Sequence, residues 1–253
     1  MKISIITATY NANLTLLDCL NSVSRQSVQP EHLIIDGGSR DGTIELVEKY
    51  NGHCVTISSE PDNGIYDAMN KGIARTGGDI VGILNADDFY ADSKVLEDVL
   101  SVFEDKDVDA CYGDLCYVDY HETEKVIRYW KSGEYAHGKF YWGWMPPHPT
   151  FFVRKSVYQQ LGGFNLEMGS AADYELMLRF LVKNRLKARY LPRVLVKMRV
   201  GGISNATFKN RMLANRMDRR AWRINNLNPY PWTLALKPLR KIGQWVSRPG
   251  VPA

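Results

Sequence analysis

Two adjacent carboxylates close an apolar run at Ile83-Leu84-Asn85-Ala86-Asp87-Asp88. Like charges side by side are costly unless a cation or a set of donors neutralises them. Hard carboxylate oxygens suit Mg2+ or Mn2+, and such ions commonly share their coordination with a diphosphate. The plainer alternative is a strand end that starts a turn or caps a helix. Upstream, Asp36-Gly37-Gly38-Ser39-Arg40-Asp41-Gly42-Thr43 combines acids with glycines that permit tight turns and close ligand approach. Asp36 suits a pyrimidine edge as well as it suits a turn, whereas Asp41 and Thr43 read as the start of the next helix. The segment lacks both G-x-G-x-x-G and G-x-x-x-x-G-K-[ST], which argues against dinucleotide and ATP sites.

Three further places carry candidate chemistry. In Glu60-Pro61-Asp62-Asn63-Gly64-Ile65-Tyr66-Asp67 several carboxylates approach a helix start. Asp62 is placed equally well for a nucleoside or for a loop, Asp67 reads as an acid favoured by the helix dipole, and Lys71 as a solvated cation. His148, in Pro146-Pro147-His148-Pro149-Thr150, has a backbone fixed by prolines ahead of a strand, so it is a candidate for metal or phosphate contact. Asp173 stands at a helix start. Ser170-x-x-Asp173 has capping-box spacing, which alone favours a structural role over that of a general base.

The elements that must position these residues alternate. Lys2–Thr9 reads as a strand, Leu16, Leu20 and Val23 as a helical stripe, His32–Asp36 as a second strand, and a helix starts near Thr43. His53–Ser58 gives a third strand; Ile65, Ala68, Met69, Gly72 and Ile73 a helix; Asp79–Leu84 a fourth strand. This is a parallel α/β sheet with three crossovers, and such sheets bind ligands beyond the carboxyl ends of their strands. Thr9, Asp36, Glu60 and Asp87 all fall at such ends. Beyond Asp88 the pattern becomes mixed: a helix at Val95–Phe103, strands at Asp109–Tyr117 and Lys125–Trp130, and an aromatic loop at Tyr135–Pro149 as a candidate acceptor-side wall. A strand at Thr150–Arg154, a helix through Tyr174, Met177, Leu178 and Leu181, a strand at Val194–Arg199 and a basic helix at Ser204–Asn226 complete the reading.

At 253 residues the chain suits one large domain with a tail. Its four cysteines, Cys19, Cys54, Cys111 and Cys116, are scattered without a CxxC pair and read as buried thiols of a reducing compartment. The start MKISIITATY is a strand pattern rather than a signal peptide, and no apolar run reaches the ~20 residues that span a bilayer. A cytoplasmic protein is expected, with peripheral contact to the inner face of the cell membrane through its tail. The net charge of +4 conceals an asymmetry: residues 205–253 hold ten Lys and Arg against Asp218 alone, leaving an acidic body. Tyr230-Pro231-Trp232, Lys237, Arg240-Lys241 and Trp245 mix cations with indoles, which suits an anionic membrane surface; a solvated end or a homodimer contact serves equally. Nucleic acid is not expected, since no RNA-binding or helix-turn-helix signature is present.

Taken together, Ser4-Ile5-Ile6-Thr7-Ala8-Thr9-Tyr10-Asn11, Ile35–Thr43, Asp62-x-Gly64 through Gly72, Leu84–Asp88 and Ala172-Asp173-Tyr174-Glu175 resemble glycosyltransferase family 2 over roughly the first 200 residues, and within it the subgroup that builds O-antigen and exopolysaccharide repeat units. The resemblance implies a GT-A fold: a Rossmann-like mixed central sheet flanked by helices, here with a basic helical C-terminal tail. The implied organisation is a transferase domain at 1–204, split into a nucleotide-binding half (1–90) and an acceptor-binding half (91–204), with an extension at 205–253. It implies an inverting enzyme that takes a nucleotide-diphosphate sugar, by default UDP-linked, and a glycan or polyprenyl-diphosphate-linked acceptor, with Mn2+ or Mg2+. The nucleotide-binding candidates on these motifs are Thr9, Tyr10, Asn11, Asp36, Gly37, Ser39, Asp62, Asp67, Lys71, Asn85, Ala86 and Asp87. Asp88, with Asp87 and His148, is the metal set, and Asp173 the catalytic base, against the preference from spacing alone. Where the family carries the first acid of D-x-D this chain has Asn85, so one carboxylate is missing. The competing readings are a catalytically silent sugar-nucleotide-binding partner of an assembly complex, a nucleotidyltransferase and an NAD-dependent oxidoreductase. The last two lack, respectively, a basic loop at Thr9–Asn13 and the glycine fingerprint.

Overall fold

The structure, a computed structural model, describes residues 1–53, 55–201 and 208–246. Cys54, Ser204 and Arg248 lie outside the described residues, as does the Trp245 side chain. The first half runs β1 (Ile3–Thr9), α1 (Leu16–Ser24), β2 (Glu31–Asp36), α2 (Thr43–Glu48), β3 (Val55–Ser59), α3 (Ile65–Arg75) and β4 (Ile80–Ile83). It is followed by β5 (Phe89–Tyr90), α4 (Val95–Val102), β6 (Ala110–Val118), β7 (Val126–Trp130), β8 (Phe152–Arg154), α5 (Lys155–Leu161), α6 (Ala172–Met177), β9 (Ala188–Arg199), α7 (Phe208–Ile224) and α8 (Thr233–Val246).

β1 and β4 are buried along their whole length because helices cover both faces of the sheet, which is why they read as unbroken apolar runs. The order β3-β2-β1-β4 is parallel, as the three crossovers require, and β8, β6, β9 and β5 extend the same sheet into a mixed second half, with β7 pairing β6. Register places Thr9 opposite Asp36, so the first two strands deliver their last residues to one point. One core lies on the α1 and α4 face and a second on the α3, α6 and α7 face. Helix α3 lies close on β1: a Cβ added at Gly72 would stand 2.4 Å from Ile6 Cγ2.

The second half departs from expectation in length and detail. The last strand begins at Ala188, not Val194, and runs parallel to β6 through Pro192, where the register shifts between Tyr112 and Asp114. Helix α5 and strand β5 are additions. The aromatic loop holds short 3-10 turns at Lys139–Trp142 and His148–Thr150. Its Phe140 and Trp144 are buried in the core, so less of it faces outward than a wall would need. Cys19, Cys111 and Cys116 are free and buried, and burial pushes the Cys19 thiol up to about 12.

The C-terminal helices share the main core. Trp222 on α7 is fully buried, its Nε1–H donating to the Tyr174 hydroxyl at 2.9 Å, and Asn225 Nδ2 donates to Glu175 Oε1 at 3.1 Å. Helix α8 backs onto Gly143, where a Cβ would meet Lys237 N at 2.6 Å. No helix among the described residues is long and apolar enough to cross a membrane.

Candidate active site

At the ends of β1 and β2 a single carboxylate organises the backbone. Asp36 is buried and accepts from Thr9 Oγ1 (3.1 Å), from the Gly38 and Ser39 backbone N–H groups (both 2.9 Å), from Ser59 Oγ (2.7 Å) and from Ser39 Oγ. Burial alone would raise its pKa; the hydroxyls of Ser39 and Ser59 and the two N–H groups outweigh that and hold it below the ordinary carboxylate range. Ser39 Oγ also receives the Asn11 N–H, and Asn11 Oδ1 receives the Arg40 N–H, so the turns after β1 and β2 are tied together. Asn11 has φ of 51°. Tyr10 is 67% exposed beside this buried polar floor. Asp41 and Thr43 are structural: Asp41 accepts from Thr43 N–H and Asn13 N–H, and Thr43 Oγ1 from Ala12 N–H.

The loop after β3 closes over this floor. A Cβ on Gly37 would stand 2.6 Å from Asp62 Oδ2, so only glycine leaves room for that carboxylate. Asp62 also accepts the Gly64 N–H at 2.9 Å. Asp67 accepts the Asn63 N–H at 2.9 Å as a first-turn acid. Lys71 is held at 3.4–3.5 Å from Glu60 and Asp67 and donates to the Pro61 carbonyl at 3.1 Å. Both staple the loop onto α3.

The turn after β4 carries the acidic pair. Asp88 is fully buried: Asn85 Nδ2 donates to its Oδ2 at 3.0 Å, while its Oδ1 and Asn85 Oδ1 have no partner. Burial first, then the neighbouring Asp87 charge, push the Asp88 carboxyl well above its usual range. Asp87 is half-buried, and Ala86 beneath it is core. Buried, unpartnered oxygens of a carboxylate and an amide are the donor set a divalent cation takes. In that sense the turn fits Mn2+ or Mg2+. His148 does not join it: among the described residues no group of three or more His, Cys, Asp and Glu forms a metal cage. The expected set of Asp87, Asp88 and His148 is thus not assembled as a cluster. Arg199, at the end of β9 and only 5% exposed, donates to the Asp87 carbonyl at 2.7 Å and pairs with Asp18, fixing the turn from behind. Its strand also carries Arg189, Arg193 and Lys197, so nothing in the sequence set Arg199 apart.

Asp173 sits in the first turn of α6. No capping box forms, since the N-cap is Ala171 and no side chain caps the helix; Asp173 Oδ1 instead accepts the N–H of Tyr174 at 2.8 Å. Its Oδ2 lies 3.3 Å from His148 Nδ1. The Tyr66 phenol stands close by, pushed up first by burial and then by the Asp173 charge, so it stays protonated. A cavity of about 20 Å³, room for about one water, is lined by Asp173, His148, Met69, Phe164 and Ile83. Ile83 is the last residue of β4, so this cavity abuts the strand that delivers the acidic turn. Tyr66 was not anticipated, because its proximity to Asp173 exists only once α3 and α6 pack.

The glycosyl transferase family 2 model matches residues 4–162 of the chain. A PGL/p-HBAD biosynthesis glycosyltransferase of Mycobacterium bovis (strain BCG / Pasteur 1173P2) is 28% identical over 208 residues, covering 80% of this chain and 78% of its own. TarS residues 1–349 from S. aureus, solved with UDP-GlcNAc, superposes with a TM-score of 0.64 at 18% identity over 97% of this chain and 79% of its own. The mannosyltransferase PcManGT from Pyrobaculum calidifontis, solved with GDP-Man and Mn2+, gives 0.65 at 17% identity over 93% and 68%. These likenesses identify the fold as GT-A.

Proposed function

The chain belongs to glycosyl transferase family 2, and we propose that it is an inverting transferase moving a sugar from a UDP-sugar to a hydroxyl of a glycan or lipid-linked acceptor in cell-surface glycan assembly. One observation carries this reading: the Asp173 carboxylate opens on a cavity that the end of β4 also lines, so a base and a candidate donor site share one wall. UDP is preferred over GDP because TarS was solved with UDP-GlcNAc, although PcManGT with GDP-Man keeps the second nucleotide in the test.

In this proposal Thr9, Tyr10, Asn11, Asp36, Gly37, Ser39 and Asp62 form the nucleoside floor, with Asn85, Ala86 and Asp87 beside the ribose and diphosphate. Asp67 and Lys71 act by holding the Asp62 loop. Asp88 and Asp87 would hold a Mg2+ or Mn2+ ion, which when bound supplies positive charge against the leaving diphosphate. Asp173 takes the proton of the acceptor hydroxyl as that oxygen attacks the anomeric carbon from the face opposite the diphosphate. A carboxylate is a far weaker base than an alkoxide, so proton transfer runs late and together with bond formation. His148 and Tyr66 orient the carboxylate and keep water from it.

The test is release of the nucleoside diphosphate from a panel of UDP- and GDP-sugars, with an acceptor glycan or glycolipid, by the wild type and by Asp173→Asn. Acceptor-dependent release that the substitution abolishes supports the reading. Nucleotide binding without any turnover would replace it with a silent sugar-nucleotide-binding partner.

A further inference from the structure

Three large aromatic rings from two distant segments meet at the surface of the acceptor half. Trp142, Tyr230 and Trp232 are 52%, 45% and 46% exposed, yet they pack on one another with centroids 5.2–6.1 Å apart. Solvent-facing indoles in mutual contact leave apolar area in water, which a soluble surface rarely retains without a partner. The cluster is rooted: Tyr230 packs at a tilt on Tyr141, and Tyr141 likewise on the buried Trp222, so the rings are braced rather than free to fold away. Beside it lies an open hollow of about 530 Å³ lined by Arg219, Arg223, Asn226, Asn228 and Tyr230. Among the described residues no acid lines this hollow, and Arg219 and Arg223 have no ion pair.

We propose that this face is a docking surface for an anionic bilayer, with Trp142 and Trp232 seated at headgroup depth and the Arg219–Arg223 hollow receiving lipid phosphates. Indole and phenol rings prefer that level, where one end is apolar and the other wet, and cations beside them gain from the surface potential. The charges decide between occupants. A second copy of this chain would bring its own unpaired arginines toward the same hollow, and like charges would oppose that contact. Nucleic acid would satisfy the arginines, yet the rings pack against each other instead of standing open for bases to stack. The face lies on the half that carries Asp173, since Trp222 at the root of the ladder is bonded to Tyr174. The inference stands independently of the transferase reading, because it needs only the rings and the arginines.

The experiment is co-sedimentation of the full chain with vesicles of phosphatidylcholine alone or with 30% phosphatidylglycerol, an amount of about a third chosen to give a strongly anionic surface. Wild type should pellet with the anionic vesicles and much less with the neutral ones. Arg219→Ala with Arg223→Ala should weaken that partitioning about thirtyfold, the worth of two cations at an anionic surface, and flatten its salt dependence. Trp142→Ala with Trp232→Ala should lower binding while leaving the salt slope in place. The arginine double variant should keep its thermal stability and its nucleotide release with a water-soluble acceptor, which separates loss of docking from loss of activity. Equal partitioning of wild type and variants would overturn the proposal. So would a concentration-dependent dimer that the Trp variant abolishes, or release from vesicles by a single-stranded oligonucleotide that binds at the same face.

Discussion

His148 Nδ1 faces Asp173 Oδ2 at 3.3 Å across the mouth of the small cavity, with the side chain of His148 twice as exposed as that of Asp173, 33% against 16%. The histidine therefore spends its inner nitrogen on the carboxylate and keeps one face toward solvent. Replacing it by Ala removes a polar partner 3.3 Å from the carboxylate, so kcat should fall roughly 10- to 100-fold. His148→Gln, which retains a donor, should recover much of that loss. Identical rates for the Ala variant and wild type would remove His148 from the machinery.

Asp173→Asn preserves shape and removes the proposed base. Turnover should fall about 10²–10⁴-fold. UDP binding, measured by thermal shift, should stay as in the wild type, because the proposed nucleoside floor lies at the ends of β1 and β2 and on the loop after β3. A parallel loss of UDP binding would mean that Asp173 acts on the donor rather than the acceptor.

Gly37→Ala puts a methyl group where Asp62 Oδ2 now sits, at 2.6 Å. The carboxylate must move, so the donor KM should rise roughly tenfold, the worth of one lost polar contact. The acceptor KM should stay constant, since no acceptor-side element touches Gly37. Steady-state kinetics with each substrate varied in turn separates the two.

Asp88→Asn removes one negative charge from the buried turn. With UDP at about 100 times its Kd, wild type should gain ~2.7 kcal/mol of apparent stability. That gain should depend on Mn2+ in wild type and lose its dependence in the variant. Equal responses to Mn2+ in both proteins would exclude Asp88 as a ligand.

The strand ends were legible because parallel strands buried on both faces announce themselves as apolar runs that stop at Thr9, Asp36 and Leu84. The roles of Asp41, Thr43 and Asp67 as local helix-start ties were legible too, since a side chain bonding its own turn leaves a spacing signature. What escaped were the relationships made by packing. The His148–Asp173 contact joins residues 25 apart through a loop whose turns follow no periodicity. Strand β9 was read short because Pro192 interrupts its alternation, although an irregular register next to β6 accommodates it. Arg199 behind the acidic turn is 112 residues from Asp87, beyond the reach of any local pattern.

Acid should destabilise the protein through a site remote from catalysis. His32 is fully buried, with Nε2 3.0 Å from Thr7 Oγ1 and Nδ1 2.9 Å from His53 Nε2. Burial first, then His53, bring its pKa from 6.5 down to about 3. The unfolded chain thus binds the proton more readily, and stability rises with pH between about 3 and 6.5, is full above 6.5 and is lost as pH falls. The slope should approach about 1.4 kcal/mol per pH unit in that window. Urea unfolding of wild type at pH 7, 6 and 5 should show it, and His32→Gln should flatten it whatever its stability at pH 7.

The bond from Trp222 to Tyr174 spans 48 residues and has a consequence for synthesis. A chain emerging from the ribosome can build the sheet from β1 to β4 early, because all four strands end by Ile83. The helix bearing Asp173 cannot complete the burial of Tyr174 until α7 has been made, so β1 to β4 can form on a nascent chain well before α6 consolidates. A chain truncated before Trp222 should therefore keep the ordered β1–β4 strands and lack an ordered Asp173 helix.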